Sequence, residues 1–580
     1  IMLLAQLLPL LGLASAGAAT TPSSSSSSPV QPIQPDHDAA KANAHHIFNA
    51  VHSAGRQWGS SLRHNGFGLY PAVMPKGTVT YHGTHQPDAP TNPEWLAFEV
   101  EHAQGFGGTY RGRRRRGRLP PGGGPPGREH HPHGPPPPPE EPHSRRDSQK
   151  PLSPPHGDDD DDDGRHHRGP GKEGGGSGPD DDSDEPLHQG YLHMYRANRD
   201  LKLIYLDGMS AGKTDMGTLD TQDALLLGRA GGPVMNERQR ADDICELIHP
   251  WGYDGFARLE VGFEIVYCDF SDGLDLVSVT RSHEQRDQLG PGSMGAFQWV
   301  RAVAERYDGV GGRMRIDFSS TVSGYFFPVN TSSTTPGRPD LGRLGAATPR
   351  ELRDIRDYFA GVARAPRRFH VDWQGVVDLI VARFAHSFSF MASDAVTVAQ
   401  FKDELDRATL VYVDAPAAPG PDDEGGRETE RAIVRCVEHY TVPESVRADG
   451  WSLEDDLIHT AVTSTMEDIC LGLFDMRASF TNAAAAQAAT ADEDGFRWDA
   501  DLEGFETGRD LLRSLMGRLD WTEWARKARC PEGEVEFVAM WPFGQENDHF
   551  NPGCRSIEHL DEGGHRGGNK DSGYWKRERR

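Results

Sequence analysis

Apolar positions recur with two different spacings along this chain, and the change between them falls near residue 345. Before it, short runs of β-branched and aromatic residues dominate. "LKLIYL" (201–206) has the composition of a buried strand, and "DGFARLEVGFEIVYCDF" (254–270), "LDLVSVTRS" (274–282) and "GRMRIDFSSTVSGYFFPV" (312–329) continue the series. Between them "GAFQWVRAVAERY" is amphipathic at helical spacing. Upstream, Ile47 and Val51, with Phe48 beside them, mark a helix. It precedes "TVTYHGTHQPDAPTNPEWLAFEVEHAQGFGG" (78–108), which reads as two strands.

Beyond residue 345 helical spacing takes over. "TPRELRDIRDYFAGVARA" opens with Thr348 as N-cap, Pro349 at the first helical position and Glu351 closing a capping box. "DWQGVVDLIVARFAHSF", "VAQFKDELDRA" and "RETERAIVRCVEHY" follow, then a long helix capped by Ser452 and "EGFETGRDLLRSLMGRLDWTEWARKA". The fold class this predicts is α+β. A mixed or antiparallel sheet occupies the N-terminal and middle parts, the C-terminal half is predominantly helical, and a long disordered insertion interrupts the sheet.

Stretches with neither spacing divide the chain. Residues 1–19 read as a signal peptide: the apolar run of "IMLLAQLLPLLGLASAGAAT" is shorter than the ~20 residues a bilayer span needs, and it ends in Ala14-Ser15-Ala16. Residues 20–38 form a disordered Ser/Pro-rich leader. Residues 109–189 hold "RGRRRRGR", "GPPPPPEEP" and "DDDDDDG", with almost no aliphatic side chain to offset ~1–2 kcal/mol of backbone entropy per ordered residue. They read as an insertion between two strands that sit close together, which loop-closure entropy tolerates. The resulting organisation is an α+β domain at 39–108 and 190–345, a helical region at 346–529, and a small loop-rich lobe with a disordered tail at 530–580. No later apolar stretch reads as long enough to cross a membrane.

The formal net charge of -26 owes much to Asp158–Asp163, Asp180–Asp182, Asp184 and Glu185, and an acidic balance argues against nucleic-acid partners. Six cysteines, Cys245, Cys268, Cys436, Cys470, Cys530 and Cys554, are even in number and lack a C-x-x-C zinc pattern. They suit an oxidising compartment. Connectivity stays open except that Cys530 and Cys554 should close the small lobe, and Asn330-Thr331-Ser332 is a glycosylation sequon at Asn330. A secreted, extracellular chain with no membrane span in its mature form is the expectation.

Motifs with chemistry are few. "DGMSAGKT" ends like a phosphate loop, but Gly208 and Gly212 enclose three residues where four are needed. Glu260 and Glu264, taken on one strand, share a face ~13 Å apart, too far for a glycosidase pair. His130, His131, His133, His166 and His167 fall in the insertion without fixed geometry, so no metal site is expected there. Arg113–Arg116 has the form of a convertase site or of a solvated charge run.

One stretch carries a sharper signal. Tyr81-His82-Gly83-Thr84 at a strand end, then Glu94-Trp95-Leu96-Ala97-Phe98, then Glu101-His102-Ala103 and Phe106, resemble the ADP-ribosyltransferase superfamily over about thirty residues. The resemblance implies a split sheet clasping NAD, with His82 bonding a ribose, Tyr81, Gly83, Thr84, Trp95 and Phe98 around the cofactor, and Glu264 as the catalytic carboxylate that orients the acceptor or stabilises oxocarbenium-like charge. The chain as a whole is also similar to uncharacterised secreted proteins of filamentous fungi, which implies no activity. Two functional classes therefore stand: a non-catalytic extracellular binding protein without cofactor, acting on an unknown protein or surface partner, or an NAD-hydrolysing or ADP-ribosyl-transferring enzyme. Convergence of His82 and Glu264 on one cleft separates them.

Overall fold

The strand-forming runs of the first half assemble into one ten-stranded sheet in the computed structural model. It describes residues 31–111, 187–229, 236–284, 294–310, 312–414, 425–445, 448–488, 503–526, 529–562 and 574–575. In chain order the strands are β1 (Gly68–Met74), β2 (Val79–Thr84), β3 (Glu94–Ala97), β4 (Tyr110–Arg111), β5 (Leu187–His188), β6 (Tyr191–Ala197), β7 (Leu201–Leu206), β8 (Gly255–Glu260), β9 (Gly262–Tyr267), β10 (Leu274–Arg281), β11 (Arg315–Ile316) and β12 (Val322–Ser323). The spatial order is β10-β6-β2-β3-β9-β8-β7-β1-β11, with β12 also on β1. Every neighbouring pair is antiparallel except β7 and β8, so the sheet is mixed. The parallel pair needs a long crossover. Residues 207–254 supply it.

The first-half helices are α1 (His37–Ala42), α2 (Ala44–Ser53), α3 (Gln57–Leu62), α4 (Val100–Gln104), α5 (Glu237–Ile248) and α6 (Met294–Ala304). The second half is helical as its spacing predicts: α7 (Pro349–Arg364), α8 (Trp373–Ala392), α9 (Val398–Thr409), α10 (Gly425–Ser445), α11 (Leu453–Ala488) and α12 (Glu503–Leu519). In α7 the capping box forms: Thr348 Oγ1 accepts from the Glu351 amide at 3.3 Å, and Glu351 Oε2 accepts from the Thr348 amide at 2.7 Å. Leu352, Ile355, Phe359 and Val362 share its buried face. Thr348→Ala should lower the free energy of unfolding by about 1 kcal/mol. Thr348→Ser should restore most of it, both read by urea titration of the helical signal.

Four expectations need correction. Residues 312–329 do not run as a strand. Only Arg315–Ile316 and Val322–Ser323 pair, separated by a turn of 3₁₀ helix at Phe318–Ser320, because Asp317 is wholly buried and its carboxylate accepts from the amides of Arg368 and Phe369 at 2.9 Å each. Order begins before Ala39, since Asp36 caps α1 by accepting from the Ala39 amide at 2.7 Å. One later stretch, Trp373–Ala392, is long and apolar enough to cross a membrane by length and composition. Here its Val377, Ile380, Phe384 and Phe388 lie in the core, and Asp378 pairs with Arg56 at 2.5 Å. Residues 530–562 are not a self-contained lobe either. Phe537, Val538, Met540 and Trp541 join Trp299, Val300 and Val303 in a second apolar core.

The six cysteines form three disulfides, Cys245–Cys268, Cys436–Cys470 and Cys530–Cys554. The first ties α5 to the residue after β9, and the second ties α10 to α11. β4 and β5 pair antiparallel, Tyr110 with His188 and Arg111 with Leu187, so the two ends of the insertion do meet. Residues 112–186, with the histidines and arginines noted there, lie outside the described residues.

Candidate functional site

Register decides which side chains face each other. Tyr81 lies opposite Ala97, and Ala97 opposite Glu264, so Tyr81, Ala97 and Glu264 project from one face of the sheet. His82 is one residue on and projects from the other. It is buried there, its Nδ1–H donating to the Trp95 carbonyl at 2.8 Å, beside His193 and Phe270. Burial pushes its pKa down to about 3 against that hydrogen bond, so the ring is neutral. His82 and Glu264 therefore do not face a common cleft. Of the residues the resemblance groups around a nicotinamide, Tyr81 and Trp95 share a small cavity with Glu264, while Phe98 lies tilted against Phe263 and under Arg306. Gly83 serves packing: a Cβ there would sit 1.8 Å from the Ala103 carbonyl oxygen, so only glycine lets α4 lie against β2.

The largest departure from the sequence reading is at Glu260 and Glu264. They do not share a strand. The chain turns at Val261 and Gly262, the latter with φ +91°, into a tight hairpin in which Arg258 lies opposite Glu264 and Glu260 opposite Gly262. Gln57 of α3 fixes the turn, its amide donating to the Glu260 carbonyl and its oxygen accepting from the Gly262 amide at 3.0 Å. Both carboxylates and Arg258 thus leave one face of the sheet as neighbours.

Around them lies a largely buried network. Lys213 Nζ donates to Glu260 Oε2 at 2.6 Å and stands 3.7 Å from Glu264 Oε1 and 4.0 Å from Glu237 Oε2. Its ammonium also lies 4.8 Å from the centre of the Trp541 ring. Arg258 donates from Nε to Glu264 Oε1 at 2.6 Å, from Nη1 to Gln222 Oε1 at 2.8 Å, and from Nη2 to Glu237. Arg240 links Glu237 to Asp223. Burial would raise the Glu237 pKa, but Arg258, Lys213 and Arg240 together hold it below the usual carboxylate range. Glu260 goes the other way: burial outweighs Lys213, and nearby Glu264 adds to the rise. The lysine of the Gly-Lys-Thr sequence is therefore the centre of a buried ionic cluster and cradles no phosphate.

Three atoms in this cluster have no hydrogen-bond partner: Glu260 Oε1, Glu264 Oε2 and His102 Nδ1. His102 comes from α4, stacks on Trp299 with ring centres 4.9 Å apart, and is kept neutral by burial, which lowers its pKa to about 3. A methyl on Gly262 would fall 3.1 Å from Glu99 Oε2 and 3.2 Å from His102 Nδ1, so a glycine leaves this space open. Tyr81, Trp95, Ala97, His102, Phe106 and Glu264 border a cavity of about 10 Å³, the scale of one water or ion. Sequence reading met His102 only as part of a helix step and Lys213 only as a failed phosphate loop. The available signal was Gly262, a lone glycine inside an apolar strand run flanked by two glutamates.

Asn330 is exposed, with its side-chain oxygen accepting from the Ser332 amide at 3.0 Å. The sequon therefore sits on an accessible turn.

The chain is similar to proteins of yeast. A family model described as the YPL277C N-terminal domain matches residues 36–294, the span that holds His102 and the whole ionic cluster but not Trp541. The uncharacterized protein YOR389W of Saccharomyces cerevisiae is 37% identical over 265 residues, covering 43% of this chain and 35% of the relative. The uncharacterized protein YPL277C of the same yeast is 35% identical over 265 residues, covering 43% of this chain and 45% of the relative. The match thus spans less than half of either relative. No solved structure matches. These likenesses support the expected place among fungal proteins of unassigned activity.

Proposed function

We propose that this chain is an extracellular binding protein that offers the open edge of its large sheet to an extended peptide segment of another protein. The observation that carries this is β10. Among the described residues it is the terminal strand of the sheet, and Leu276, Val277 and Val279 along it are 41%, 50% and 40% exposed. Edge strands are usually blunted by lysine, proline or a covering segment, because their free amides and carbonyls template further pairing. "LDLVSVTR" contains neither lysine nor proline, Asp275 is tied to Arg196 at 3.1 Å and Asn198 at 3.0 Å, and its one irregularity is a bulge between Leu276 and Ser278, which leaves Val279–Arg281 in regular register with β6. A strand added here would gain backbone hydrogen bonds and apolar contacts together. Pairing of all six cysteines supports an oxidising compartment, where such disulfides persist.

The test is retention of the purified full-length chain on isolated fungal cell walls. Wild type should sediment with the walls, protease treatment of the walls should abolish this, and Val277→Lys combined with Val279→Lys should cut retention at least tenfold while the thermal transition stays in place. Equal retention of the variant, or none by the wild type, overturns the proposal.

A further inference from the structure

We propose that His102, Glu260 and Glu264 form a binding site for one divalent transition-metal ion, zinc or manganese. One ligand atom from each of the three lies within 4.8 Å of the others, and all three residues are buried. A cluster of acids alone would say little. Here the three atoms without a hydrogen-bond partner, Glu260 Oε1, Glu264 Oε2 and His102 Nδ1, come from those same three residues, and two of the residues wall the 10 Å³ cavity. Buried polar atoms are almost always paired, so an unpartnered atom on each of three residues whose ligand atoms converge marks a missing partner.

Chemistry narrows that partner. A neutral imidazole nitrogen with two carboxylate oxygens is a donor set for zinc, manganese or iron(II), and too poor in oxygen for calcium. Each carboxylate is already gripped by its other oxygen, Glu260 by Lys213 and Glu264 by Arg258, as outer-shell partners grip metal ligands. Asp223, Glu237, Glu260 and Glu264 face Lys213, Arg240 and Arg258, four carboxylates against three cations. Three protein ligands leave a position toward the cavity beneath the half-buried Tyr81 and Phe106, where a water or a substrate oxygen would complete the shell. The site lies on the sheet face away from His82 and owes nothing to β10.

The experiment uses the full-length chain, stripped with chelator, loaded with Zn²⁺ alone and desalted before elemental analysis. One zinc per chain is expected, with at least a hundredfold weaker binding in His102→Ala and in Glu264→Gln. Zinc held equally by wild type and both variants would place it elsewhere, for example on the histidines between residues 130 and 167, and would overturn the site. So would a folded wild type that retains none. Should the variants fail to fold, X-ray absorption on the zinc-loaded wild type still decides. One imidazole per zinc with oxygen neighbours is expected, and two or more imidazoles refute it.

Discussion

Lys213→Met will cost about 3–5 kcal/mol of unfolding free energy, because it removes one partner of a buried ion network and strands the other. The ammonium it removes is wholly buried, 2.6 Å from Glu260 and 3.7 Å from Glu264. Methionine keeps the length and apolar volume of the stem beside Trp541, so packing changes little and charge changes fully. Lys41→Met is the control. Its ammonium is 3.9 Å from Glu467, both are largely exposed, and such pairs contribute little. Urea unfolding in chelator-containing buffer measures both. Equal midpoints for Lys213→Met and wild type would show that the network contributes no net stability.

Acidification below about pH 6 will destabilise the fold, with His82 a principal cause. Its folded pKa is depressed to about 3 by burial, with His193 and Arg238 adding to the fall, whereas the unfolded chain titrates near the ordinary value of about 6.5. Between those values the unfolded state binds the extra proton, so stability falls as pH falls. The slope is about 1.4 kcal/mol per pH unit for this group, or roughly 3 kcal/mol by pH 4. His64, also buried and lowered to about 3, acts in the same direction. His82→Asn cannot titrate and keeps an N–H where Nδ1–H meets the Trp95 carbonyl. Its urea midpoint should depend less on pH by about one proton between pH 6 and 4. Parallel curves for wild type and variant would mean that His82 takes up its proton in the folded state.

Local pattern and chemistry determined a good deal here. The α+β class, the change to helices after residue 345, the Thr348 capping box and the Cys530–Cys554 bridge each depend on residues close in sequence or on periodicity, and all are present. The two ends of the low-complexity insertion pair as β4 and β5, as expected of an insertion between adjacent strands. What pattern could not supply was which strand face meets which. A single glycine at 262 converts one apparent strand into a hairpin, and that reversal brings Glu260 and Glu264, set ~13 Å apart by the strand reading, onto one lysine. The same register separates His82 from Glu264, since adjacent residues of a strand point to opposite faces. His102, Lys213 and Trp541 come from three segments far apart in the chain. Their meeting was decided by the packing of α4, the crossover loop and the C-terminal segment on one sheet face, because burying a charge is tolerable only where opposite charges arrive with it.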